Sequence, residues 1–286
     1  LNDVYFLDEN KGWAVGNYGA VISTENGGKD WKVLQHKRKI RSEAPFYKSV
    51  YFVTKDKGWI AGYDSSRNGI ILFTEDGGKR LEEQARFSET YLYDAYFTSQ
   101  SEGWIAGSKN GQTLILHTEN SGDDWKIQRY DESGYLFRIF FINENVGFAA
   151  GNDSSTPLTF QTNDGGKTWV KLNLIKEKGT LYELFFLNPK EGWMILNDLL
   201  FKTIDGRNSW QKIPIPPNIS LGSFFSGDSI VFKNSNEGFF IGYDSSSPIL
   251  SSVIMHTEDG GQSFDRQYDS SVLNSIACSD NKCWAV

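Results

Sequence analysis

Residues 162–169 read Thr162-Asn163-Asp164-Gly165-Gly166-Lys167-Thr168-Trp169. The same pattern, Thr-x-(Asp/Asn)-Gly-Gly-x-x-Trp with substitutions, also begins at Thr24, Thr74, Thr118, Thr203 and Thr257. A unit written six times dictates the architecture before any single residue can be read. A second signature runs in step with it: Gly12-Trp13, Gly58-Trp59, Gly103-Trp104, Gly147-Phe148, Gly192-Trp193, Gly238-Phe239 and Cys283-Trp284. Successive spacings are 46, 45, 44, 45, 46 and 45 residues. That period, with short aromatic and β-branched runs between Gly-rich turns, is the pattern of propeller blades. Helical repeats would need apolar residues three and four apart over ten or more positions, and the runs here are too short.

One blade is legible in residues 1–36. Strand A is Asp3–Leu7, strand B Trp13–Gly16, strand C Val21–Thr24, and strand D begins at Trp31. The expected fold is therefore an all-β, seven-bladed β-propeller of four-stranded antiparallel blades. The blades fall near 1–40, 41–86, 87–130, 131–175, 176–217 and 218–270, with a partial seventh at 271–286. Leu273-Asn274-Ser275-Ile276 echoes Leu1-Asn2-Asp3-Val4, and Cys283-Trp284-Ala285-Val286 echoes Gly12-Trp13-Ala14-Val15. A six-bladed ring with a dangling hairpin is the alternative. The natural polypeptide is expected to continue beyond Val286.

The formal charge of −7 argues against general nucleic-acid binding, which favours basic faces. No stretch approaches the roughly 20 apolar residues of a transmembrane helix. Cys278 stands where other repeats place the last strand-A aromatic, and Cys283 where they place the strand-B glycine. A Cys278–Cys283 disulfide across the A–B turn is sterically plausible and favours an oxidising compartment. Two small buried thiols are the other reading.

The repeated octapeptide holds an acid, a hydroxyl and an aromatic, which suggests chemistry. Its tolerance argues for a turn instead. The key positions are Asn26, Asp76, Asn120, Asp164, Asp205 and Asp259, and an Asn would disable a catalytic acid. The side-chain oxygen can accept backbone N–H bonds while the glycines supply positive φ. One carboxylate per loop is too few oxygen ligands for calcium. No His-x-His or Cys-x-x-Cys spacing occurs, so neither metal nor cofactor is expected.

These residues resemble the Asp-box, or bacterial neuraminidase repeat. Combined with Gly12-Trp13-Ala14-Val15-Gly16, Trp59-Ile60-Ala61-Gly62 and Trp104-Ile105-Ala106-Gly107, the chain is similar to the photosystem II stability/assembly factor family. That resemblance covers the whole chain. It implies an exported or lumenal, noncatalytic seven-bladed scaffold that binds other proteins. Attachment to a membrane through a segment outside this chain is compatible with it, and the expected state is a monomer. Members carry a basic surface patch, whereas this chain is acidic with one short basic run.

A–B turns and octapeptide turns share one face; B–C loops and D–A connections share the other. The second set varies more, so function is expected there. The repeated insertions Tyr63-Asp64-Ser65-Ser66, Asn152-Asp153-Ser154-Ser155 and Tyr243-Asp244-Ser245-Ser246 read either as turn formers or as a polar rim. Aligned strand A residues put Asp3, Ser49, Asp94, Arg138, Glu183, Ser229 and Ser275 in one column expected to ring a channel mouth. Asp3, Asp94, Arg138 and Glu183 then suit a polar or cationic ligand, with Tyr93 and Tyr182 adding stacking area; a solvated lining is the plainer reading. Lys37, Arg38, Lys39 and Arg41 form a candidate docking patch for an anionic partner. The alternative function is a glycan-binding or sialidase-like Asp-box propeller. Phe137-Arg138-Ile139-Phe140 resembles the sialidase Phe-Arg-Ile-Pro element without its proline, and no matching arginines accompany it, so no catalytic residue is assigned.

Overall fold

The computed structural model describes residues 1–35, 44–154, 156–175, 177–206, 208–221, 229–247, 251–270, 272–279 and 282–286. They form six antiparallel sheets, each one repeat of the sequence, and a seventh sheet of two strands. The first five run A-B-C-D in chain order. In the sixth, two short segments, Ile219–Ser220 and Ile230–Phe232, share the role of strand A against Gly238–Asp244. The structure thus has six complete blades rather than seven. The two-stranded sheet comprises Ile276–Ser279 and Lys282–Ala285. No helix occurs among the described residues, and none is long and apolar enough to cross a membrane.

The core lies between blades. Trp13, Val15 and Val21 of the first blade pack with Tyr47, Val50, Phe52 and Ile60 of the second, and other neighbours do likewise. One contact recurs around the ring. In four blades the strand-B aromatic stacks on the last strand-A aromatic of the next, and Trp104 meets Phe141 at a tilt with centroids 4.3 Å apart. Ring centroids are 3.6 Å apart for Trp13–Phe52, 3.7 Å for Trp59–Phe97, 4.4 Å for Phe148–Phe186 and 3.6 Å for Trp193–Phe232. Trp284 of the two-stranded sheet meets Phe6 of the first blade in the same way, at 3.6 Å. Such pairs add about 0.5–1.5 kcal/mol beyond the area they bury.

That contact explains the glycine before each strand-B aromatic. Gly12 is the cross-strand partner of Phe6, and a Cβ at Gly12 would sit 2.6 Å from the Phe6 ring. Gly58, Gly103 and Gly238 face Phe52, Phe97 and Phe232 equally closely. In the two-stranded sheet Cys278 and Cys283 occupy this same cross-strand pair, and their sulfurs are bonded. The disulfide therefore stands where the other blades place a ring over a glycine.

Candidate functional site

The octapeptide turns are closed by their own side chains. Thr162 Oγ1 accepts the Gly166 N–H at 2.8 Å, and Asp164 Oδ1 accepts the Thr168 N–H at 2.9 Å. Thr24, Thr74, Thr118 and Thr257 make the equivalent bond to the second glycine, Gly28, Gly78, Gly122 and Gly261. Those glycines have φ between 79° and 99°, a region costly for other residues. In five of the six copies the position four residues after the Asp or Asn is matched chemically; the exception is Arg80, which gives Asp76 only its backbone N–H. Asp164, Asp205 and Asp259 accept the hydroxyls of Thr168, Ser209 and Ser263 with their second oxygen. Asn26 and Asn120 instead donate Nδ2 to Asp30 and Asp124. The Thr168 hydroxyl and N–H hold the Asp164 carboxyl down at about 2, and similar bonds lower Asp205 and Asp259.

Each turn is also a fastener. The first glycine N–H bonds to the A–B turn of its own blade, as in Gly27 to Asn10 O and Gly165 to Asn145 O. Three strand-B tryptophans donate to the next blade's octapeptide: Trp13 Nε1 to Gly77 O at 2.9 Å, Trp59 Nε1 to Ser121 O at 3.2 Å and Trp284 Nε1 to Gly27 O at 3.0 Å. His117 and His256, which precede octapeptide threonines, stack on Trp104 and Phe239.

The aligned strand-A column forms a girdle of hydrogen bonds between blades. Asp3 Oδ2 accepts the Val50 N–H at 2.9 Å, and Ser275 Oγ donates to Asp3 Oδ1 at 3.0 Å. Asp94 accepts the Ile139 N–H at 2.8 Å and the Ser49 hydroxyl at 3.1 Å. Arg138 bridges blades, 3.3 Å from Asp94 and 2.9 Å from Glu183. Glu183 Oε2 accepts the Ser229 N–H at 2.8 Å. Glu183 is fully buried and Asp94 nearly so, and charges at that depth persist only when paired and hydrogen-bonded. The column also lies below the mouth expected for it: Thr90–Phe97 and Tyr135–Phe141 place three or four strand residues before Asp94 and Arg138.

What lies above the girdle is aromatic. Register shifts fall at the same place in four inner strands, between Tyr47 and Ser49, Leu92 and Asp94, Leu136 and Arg138, and Leu181 and Glu183. Such bulges re-aim side chains, here Lys48, Tyr93, Phe137 and Tyr182. Tyr93 joins an arc that crosses four blades on the loop-rich face. Tyr18, Phe46, Tyr63, Tyr91, Tyr93, Tyr135 and Phe137 are linked by centroid separations of 4.9–6.4 Å. Tyr18 and Tyr135 are exposed, and Lys48 Nζ lies 5.9 Å from the Tyr63 ring. Tyr182 does not join the arc; it packs against the core between the fifth and sixth blades.

The profile of the family described as "Photosynthesis system II assembly factor YCF48" matches residues 1–89 and 83–178. The chain belongs to this YCF48 family. Solved structures share the fold. "YCF48 from Cyanidioschyzon merolae" superposes with a TM-score of 0.75 at 15% identity, over 100% of this chain and 92% of that one. "YCF48 bound to D1 peptide" gives 0.70 at 19%, over 93% and 81%. TolB from Acinetobacter baumannii gives 0.58 at 10%, over 88% and 61%. No curated protein matches the chain in sequence.

Asp64 and Asp244, in the repeated loop insertion, accept the backbone N–H of Ser66 and Ser246 and pair with Arg86 and Arg266 on strand D of their own blades. They are turn formers tied to their own sheet. Lys37, Arg38, Lys39 and Arg41 lie outside the described residues. The arc's full extent was missed. Phe46, Tyr91 and Tyr135 each precede the girdle residue by three, so carrying the strand alignment two residues further upstream would have exposed it.

Proposed function

We propose that the chain is a noncatalytic, exported scaffold whose complete ring has seven blades and which binds protein partners on its loop-rich face. Membership of the YCF48 family and a relative solved "bound to D1 peptide" support protein binding. Seven blades are supported by the stacking of Trp284 on Phe6 and by Ser275 extending the girdle. Export is supported by the Cys278–Cys283 bond, since disulfides persist mainly in oxidising compartments.

The observation that carries the reading is the aromatic arc. Tyrosines dominate it, and tyrosine brings large contact area with little side-chain entropy to lose. Apart from the near-parallel Tyr91 and Tyr93, its neighbouring rings are tilted by 31–74°, which suits side-chain docking better than the flat stacking of a sugar. The girdle argues in the same direction: Asp94, Arg138 and Glu183 serve the fold, so the channel's charged groups are unsuited to acid–base work. The basic run Lys37–Arg41 precedes Phe46 in sequence and is proposed to meet acidic groups of the same partner.

The test is affinity capture from the native envelope fraction with three proteins. The wild type is expected to retain a specific partner that Tyr18→Ala/Tyr135→Ala loses. Val33→Ala/Ile204→Ala, at exposed apolar positions outside the arc, is expected to retain it. Equal capture by all three would remove the arc from the interface.

A further inference from the structure

The channel below the girdle holds a second feature, independent of the loop face. Two residues after the girdle column, the inner strands place Tyr5, Tyr51, Tyr96, Phe140, Phe185, Val231 and Ala277. The first five line one layer of a cavity of about 450 Å³, and Val231 and Ala277 leave the room on its other side. The cavity runs from Asp3, Asp94 and Arg138 to Ile142 and Leu187, where the A–B turns begin. Its size falls within the roughly 300–1,000 Å³ of small-molecule sites. Tyr5, Tyr51 and Tyr96 sit side by side, with centroids 4.9 and 5.1 Å apart. Burial, then the neighbouring phenols, raises Tyr5 to about 12 and pushes Tyr51 up as well. Burial raises Tyr96 too, so all three phenols are neutral at any physiological pH.

We propose that this aromatic chamber binds an organic ammonium group. Electron-rich ring faces attract cations, most strongly where water is excluded. The chain already shows the pairing at this level, because Arg138 Cζ lies 5.8 Å from the centroid of Phe140. The girdle at the chamber's inner end holds three carboxylates, Asp3, Asp94 and Glu183, against the single guanidinium of Arg138. Their oxygens are engaged by backbone N–H groups, serine hydroxyls and Arg138, so they act at a distance: a cleft with an excess of one sign of charge focuses that field towards a cation. Lys48 projects the other way, onto Tyr63 near the loop face. A neutral apolar group of the same shape would gain the burial but not the field. The ammonium group is either that of a free small molecule or that of a lysine side chain on a protein, and the chemistry of recognition is shared.

The experiment is a titration followed by NMR of the tyrosine rings, using choline, its uncharged isostere 3,3-dimethylbutan-1-ol, and a short lysine peptide amide. Choline or the lysine peptide is expected to saturate, with the isostere at least about tenfold weaker. Saturation by choline identifies a free ligand; saturation by the peptide alone identifies a side chain. Tyr51→Leu is expected to weaken binding about tenfold, while Tyr51→Phe, which keeps the ring, stays within about threefold. Phe185→Leu, from the facing part of the wall, repeats the test should Tyr51→Leu fail to fold. Equal binding of choline and the isostere, failure of both cations to saturate at tens of millimolar, or indifference to Tyr51→Leu and Phe185→Leu would each overturn the proposal. None of these outcomes depends on the loop-face arc, which the probes do not require.

Discussion

The two faces of the ring are built from the same repeats but by opposite rules. On the turn face, copies of one octapeptide make the same bonds, each closing its own turn and several gripping the preceding blade. On the loop face, equivalent positions diverge: Phe46, Tyr91 and Tyr135 on three successive blades give way to Thr180 on the fifth. Between the faces the girdle alternates acids with serines and one arginine. Repetition therefore marks what holds the ring together. Departure from repetition marks where the blades stop making the same bonds to each other, which is where the proposed partner surface lies.

The girdle is where that distinction is tested hardest. Glu183→Ala removes the buried acceptor of the Ser229 N–H and one of the two carboxylates that Arg138 bridges. Breaking one side of such a pair costs about 3–5 kcal/mol, readable as a lowered urea midpoint. Glu183→Gln keeps an acceptor and the volume, and is expected to lose clearly less. If both are tolerated as well as a surface change, the column belongs to solvent and the channel regains its candidacy as a polar ligand site.

The two-stranded sheet sharpens the comparison next, because it keeps the repeat's geometry with different chemistry. Replacing both cysteines by serine opens a six-residue loop, and chain-entropy reasoning puts the loss at about 2 kcal/mol. Cys278→Phe with Cys283→Gly restores the ring-over-glycine pair of the other blades and is expected to recover most of it. Thermal unfolding under non-reducing conditions compares the three. A double replacement no better than the serines would mean that the two-stranded sheet does not follow the blade rule.

Within the turns the expected effects are smaller. Asn120→Asp sets a second carboxylate beside Asp124, where Nδ2 had donated. The expected loss is about 0.5–1 kcal/mol at low salt, shrinking as salt rises. Adding Asp124→Ser recreates the Asp–hydroxyl pairing of Asp205–Ser209 and is expected to cancel that loss. A double-mutant cycle reads the coupling directly; additive changes would show that the matched positions are coincidence.

Much of this was legible in the sequence. The period and the octapeptide announced repeated four-stranded sheets, because both rest on local backbone demands that repeat with the chain. Aligning strand A brought Asp3, Asp94, Arg138 and Glu183 into one column, read there as a solvated lining or a polar ligand site. In the structure their carboxylates accept backbone N–H groups one blade away, at Val50, Ile139 and Ser229. Side-chain identity does not display those partners. The arc was hidden for the complementary reason. Its register depends on bulges before Ser49, Asp94 and Arg138, which shift which side chains share a face without leaving a mark in composition. Tyr93 and Tyr182 show the limit: they occupy the same aligned position, but one joins the arc and the other a core.

The gentlest test uses acid. Asp164 holds its carboxylate by the hydroxyl and N–H of Thr168, which lowers its pKa from 3.8 to about 2. A carboxyl depressed in the folded state adds stability that is complete above its unfolded value and disappears as pH falls through its folded one. The contribution of Asp164 should therefore be whole near neutrality and vanish between about pH 4 and pH 2. Asp164→Asn keeps an acceptor for the Thr168 N–H and has no proton to gain. Its stability deficit relative to wild type, measured by denaturant titration across that window, is expected to shrink towards zero at the acid end. A deficit that stays constant with pH would mean the carboxylate charge contributes nothing and that only the shape of the side chain matters. That result would place Asp and Asn on equal terms at this position, and the pairing of Asn26 with Asp30 and of Asn120 with Asp124 would then need a cause outside the folded turn.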